Sequence, residues 1–142
     1  MTCPECGMRG FHLGDCSQRR GYDAVNPKHY EHVSGIQTIE VNRRMTFDSG
    51  NAFKYVLRHK DKGTPLQDLT KARWYIADAV NHKDRVFNSD EDRVEACKLL
   101  ERMWLAEPDL WTRTFFATLH EMDLVGAGAV VDKMIEELVN DR

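Results

Sequence analysis

The apolar residues of this chain recur at intervals of three and four, and nowhere do they alternate over a useful length, which restricts the fold to packed helices. From Pro65 to Lys83, the residues Leu66, Leu69, Ala72, Ile76, Ala77 and Val80 mark the apolar side of one helix. An earlier helix starts near Asp48 or Ser49, either of which is a capping residue, and places Ala52, Phe53, Val56 and Leu57 together. Gly63 and Pro65 close that helix and open the next. A first helix is expected from about Ile36 to Arg44, with Ile36, Ile39 and Val41 as its apolar residues.

Beyond a solvated turn, "FNSDED", Ser89 with Asp92 three positions on resembles a capping arrangement. The helix it opens carries Val94, Cys97, Leu100, Met103 and Trp104 and ends before Pro108. Leu110, Trp111, Phe115, Leu119 and Met122 continue the period, as do Val130, Val131, Met134, Ile135 and Leu138. Between these sets, "LVGAGAVV" is either a break or a place of close packing, since each glycine weakens a helix by about 1 kcal/mol relative to alanine. The expected fold class is all-α, a small domain of five or six helices.

With 142 residues, 42% of them hydrophobic and 30% charged, the chain has the makings of one globular helical domain over residues 25–142, ending in a helical tail over 90–142. A net charge of -3 argues against a protein that coats nucleic acid, although a local basic patch is compatible with it. There is no apolar run near the ~18 residues that span a bilayer, and no basic stretch followed by a hydrophobic one at the start. The expectation is a cytoplasmic protein without a membrane partner. A tail rich in Met, Trp and Phe predicts a homo-oligomer.

Residues 1–24 differ from the rest. Cys3, Cys6, His12 and Cys16 form C-x2-C-x5-H-x3-C, and closely spaced thiolates with an imidazole are the donors that structural zinc prefers. The segment resembles a zinc knuckle, C-x2-C-x4-H-x4-C, with the histidine one position late. Four protein ligands make such a zinc structural, and the alternative is a segment that carries no metal. Cys97, between Val94 and Leu100, reads as a buried thiol.

"GNAFKYVLRHKDKG", residues 50–63, holds three lysines, one arginine and one histidine. Asn51, Lys54, Tyr55 and Arg58 follow helical spacing and share a side, which Lys62 extends if the helix continues. Lys71 and Arg73 begin a second basic patch beside Trp74 and Tyr75. Converging arginine and lysine with a neutral donor is what a phosphate requires, and an aromatic ring beside them offers a stacking surface for a base. For each of these residues solvated charge or core packing is the competing reading. Asp61, Asp68 and Asp78 are candidates to pair with the cations or to hold Mg²⁺. His29 and His32 read as hydrogen-bonded structure, ligand contacts or metal donors.

Four stretches together, "VNPKHY" at 25–30, "GIQTIEV" at 35–41, "GNAFKYVLRHKDKG" at 50–63 and "DLTKARWYI" at 68–76, resemble the SaV-like small proteins of tailed bacteriophages, a family that contains a phage nucleotide kinase without a P-loop. The resemblance covers about residues 25–79. It implies a phage protein in the infected cell that transfers a phosphoryl group to a deoxynucleoside monophosphate, with Mg²⁺ as the cofactor of an active kinase. A kinase of this kind would have to hold both phosphates with side chains, Lys54 and Arg58 on the transferred group and Lys62 or Lys71 on the donor tail, with Asp61 or Asp68 as candidates to bind Mg²⁺ or orient the acceptor. His29, Asn51, Trp74 and Tyr75 complete the nucleotide contacts.

No G-x-x-x-x-G-K-[ST] occurs, so a P-loop kinase is excluded. The second function class is a binding protein without chemistry that sequesters a nucleotide or inhibits a host protein. A helical pyrophosphatase is weaker, because Glu101, Glu107, Glu121 and Asp123 do not form the paired acidic motifs that such an enzyme needs.

Overall fold

The computed structural model describes residues 31–61 and 63–141. Cys3, Cys6, His12, Cys16, His29 and Lys62 therefore lie outside the described residues, as does the expected zinc segment. The described chain is all-α: α1 is Thr38–Asn42, α2 Phe47–Arg58, α3 Pro65–His82, α4 Asp90–Ala106, α5 Leu110–His120 and α6 Leu124–Asn140. None of these helices is long and apolar enough to cross a membrane.

Helix α2 packs on α3, α3 on α6, α6 on α5 and α5 on α4, while α1 touches both α2 and α4. α2 and α3 are antiparallel, since Arg58 pairs with Asp68 at one end and Asp48 faces Asp78 at the other. Phe53, Val56, Leu69, Ile76, Leu100, Met103, Phe115, Phe116, Leu119 and Val131 form the core, all essentially inaccessible to water. Phe53 of α2 meets Phe116 of α5 with ring centroids 5.9 Å apart.

Local chemistry sets the helix ends. Gly63 takes a left-handed φ of 74°, and Pro65 then occupies the first turn of α3, where no amide hydrogen is needed. Ser89 accepts from the Asp92 amide at 3.1 Å, as its spacing predicts. Asp109 and Asp123 cap α5 and α6 in the same way.

Three local expectations need correction. α2 begins two or three residues earlier than a cap at Asp48 or Ser49 allows, because Thr46 is the N-cap and both residues are buried inside the first turn. "LVGAGAVV" is not a break: Asp123 caps it, α6 runs through it, and Gly128 leaves room for the Arg73 guanidinium, which an added Cβ would approach to 3.1 Å. The turn before α4 is not wholly solvated, since Val86 and Phe87 are buried and bridge to the α1–α2 connection through Thr46 N–H to Val86 O at 3.0 Å.

Candidate functional site

Tyr55 lies at the centre of the α2–α3 face. Its ring stacks nearly parallel to that of Tyr75, 6.0 Å away, and Phe47 and Trp74 meet Tyr75 edge-on at 6.0 and 5.2 Å. Around the Tyr55 ring sit Lys54 Nζ at 4.6 Å, Arg58 Cζ at 5.2 Å and Lys71 Nζ at 5.3 Å from its centroid. All three fall within the ~6 Å over which an aromatic face attracts a cation. The antiparallel register brings this about: Lys54 and Arg58 are one turn apart on α2, and Lys71 is one turn before Tyr75 on α3.

The remaining expected residues are distributed unevenly. Arg58 also forms an ion pair with Asp68 at 3.5 Å, with the two side chains largely withdrawn from water, so this cation and this carboxylate tie α2 to α3. Asn51 donates to the Phe47 carbonyl at 2.9 Å, one turn back on its own helix. Trp74 is 61% exposed and Phe47 76%, so the face carries two accessible aromatic rings. Arg73 leaves the patch that its sequence position suggests and pairs with Asp132 of α6 at 2.8 Å. Lys60 pairs with Asp109 at 3.2 Å, and Asp61 lines a different cleft, with His32, His59 and Glu107.

An acidic group at the far end of the face escaped the sequence reading. Burial, a hydrogen bond to Asp78 and the charges of Asp78 and Asp84 push the Asp48 carboxyl from 3.8 up to about 6, with His82 opposing. His82 in turn is raised by its hydrogen bond to the Asp78 carbonyl and by that residue's carboxylate. The available signal was the acidic residue in "FDSG", which reads as a cap until the helix start is known. Among the described residues, no three His, Cys, Asp or Glu side chains converge as a metal site. Asp61 and Asp68 stand apart, Asp68 against Arg58 and Asp61 in the cleft with His59.

Other candidates are engaged in the structure. His32 Nδ1 accepts from the Ser34 amide at 3.1 Å, so its Nε2–H donates to Glu107 at 2.9 Å. With Glu107 held by His32, Glu101 and Glu121 lying against His120 and Asp123 capping α6, all four carboxylates considered for pyrophosphatase chemistry have other roles. Cys97 is partly buried, and burial pushes its thiol up.

The fold and the face define a small all-α protein with a cation-lined aromatic surface on one helical hairpin. Residues 25–77 match DUF3310, a family described only as protein of unknown function. The matched stretch contains α1, α2 and most of α3, and with them every residue around Tyr55. No curated protein matches the chain, and no solved structure does.

Proposed function

We propose that the α2–α3 face binds a nucleotide through its phosphates and that the protein is a phage nucleotide kinase-like protein, transferring a phosphoryl group to a deoxynucleoside monophosphate. The observation that carries the binding half is the gathering of Lys54, Arg58 and Lys71 around one tyrosine ring. Lys54 and Lys71 supply compact charge to a phosphate, and Trp74 and Phe47 offer exposed rings to a base. Phosphoryl transfer consists mostly of positioning and charge stabilisation, so these groups suit it without a protein nucleophile. The transfer half rests on the resemblance to the SaV-like phage proteins.

A non-catalytic binding protein is the second reading. It is favoured by the separation of the carboxylates: Asp68 is committed to Arg58, and Asp61 belongs to another cleft. Calorimetry with deoxynucleoside triphosphates, together with an assay for diphosphate formation from monophosphate and triphosphate, tests both. The Lys54→Ala, Lys71→Ala double variant is expected to weaken binding at least about tenfold, a loss of ~1.4 kcal/mol, with an unchanged circular dichroism spectrum. Tight binding without turnover selects nucleotide sequestration, and no binding of any nucleotide refutes both the kinase and sequestration and leaves inhibition of a host protein.

A further inference from the structure

Between the end of α1 and the first turns of α2 lies a small pocket of about 210 Å³, beside the Tyr55 face. Gly50 lines it without a side chain. An added Cβ there would come within 3.2 Å of the Asn42 carbonyl oxygen, 3.5 Å of Asn42 Cβ and 3.7 Å of Met45 Cβ, so a side chain at this position would crowd two other lining residues.

Apart from Lys54, the described lining of the pocket is uncharged. The Asn42 carboxamide is half-buried and has no hydrogen-bond partner among the described residues. Asn51 gives one Nδ2 hydrogen to the Phe47 carbonyl at 2.9 Å, which leaves its Oδ1 and a second hydrogen open. A carboxamide sets an acceptor beside a donor, the pattern of a nucleobase edge, and can pair with it through two hydrogen bonds. Phe47, 76% exposed, adds an aromatic ring at the border.

The pocket is smaller than the ~300–1,000 Å³ of sites that hold a whole small molecule, so it takes only part of one. Lys54 joins it to the cation cluster, since this residue lines the pocket and its Nζ stands 4.6 Å from the Tyr55 ring centroid. Phe47 makes a second link through the edge-on contact with Tyr75 at 6.0 Å. Amides and an aromatic ring on one side of Lys54, with cations on the other, correspond to the two halves of a nucleotide.

We infer that this pocket takes the nucleobase, with Asn42 and Asn51 reading its hydrogen-bonding edge, Phe47 against its ring, and Lys54 at the junction with phosphates held over Tyr55. The inference rests on the nucleotide reading of that face and adds to it a means of base selection. A base whose edge does not match leaves a carboxamide desolvated and unpaired, and that loss is what discriminates.

Calorimetry of the full-length protein with dATP, dCTP, dGTP, dTTP and inorganic tripolyphosphate tests this. The best and worst bases are expected to differ at least about tenfold in Kd, and Asn42→Ala to compress that span to about threefold or less. Tripolyphosphate, which has no base, is expected to bind this variant as it binds the unaltered chain. Asn51→Ala, which removes a side chain bonded only to its own helix among the described residues, supplies the same comparison if the Asn42 variant does not fold. Nucleotide binding without base preference, or a preference that the folded variants retain, overturns the inference and leaves the nucleotide reading standing. Equal weakening of tripolyphosphate by Asn42→Ala marks the residue as structural and overturns it as well. Failure of every nucleotide to bind removes both.

Discussion

Asp48 shows how one residue's role depends on where a helix begins. As a cap it would be solvated and ionised, but in the first turn of α2 it is 5% exposed and shares a hydrogen bond with Asp78. Its carboxyl titrates near 6 in the folded chain against 3.8 in the reference state, so between those values the folded state holds the extra proton. The stabilisation is present at low pH and is lost as pH rises through about 6. Asp48→Asn is therefore expected to raise the melting temperature at pH 8, by a free energy of at most about 3 kcal/mol, and to change little at pH 4. Thermal melts at the two pH values check this; an equal effect at both would remove the shared proton. His59 has the opposite sign, since its depressed value costs stability as pH falls below 6.5.

At the scale of elements, α1 and α2 meet at Gly50. A Cβ there would lie 3.2 Å from the Asn42 carbonyl oxygen, which belongs to the backbone of α1 and cannot swing aside like a side chain. Gly50→Val is expected to destabilise the protein by about 1–3 kcal/mol despite the removal of a helical glycine, as read from the urea midpoint. No loss of stability would mean that α1 yields freely. The cation cluster around Tyr55 also exists only between elements: Lys54 and Arg58 share a helix side by periodicity, but Lys71 joins them through the α2–α3 register.

For the whole molecule, Phe116 is the residue that ties distant parts together. It contacts Phe53 of α2 and, edge-on at 5.5 Å, the ring of His32, which in turn holds Glu107 beyond α4. Phe116→Ala is expected to cost about 3–5 kcal/mol and to loosen the α4–α5 wall of the acidic cleft, measurable by denaturant unfolding and by hydrogen exchange at Glu107 and Asp109. A loss below 1 kcal/mol, the scale of a surface substitution, would contradict its central place. The same burial bears on self-association. Met103, Phe115 and Phe116 of the tail are buried in the internal core, whereas Leu105, Leu110, Met122 and Val125 of the same tail are exposed.

Periodicity made the helices legible, because a 3.6-residue repeat of Leu, Ile and Phe has one stable way to hide from water. Gly63, Pro65, Ser89 and Asp92 announced their ends because their backbone preferences act locally. Also legible were the cations of α2, whose spacing alone puts them on one side. Partnership was not. That Arg73 turns to Asp132, that Arg58 binds Asp68 and that Asp61 leaves the cationic face all depend on which helices become neighbours. Helix formation is decided within a few residues of chain, whereas a charge acquires its partner across tens of residues, and only packing brings those together.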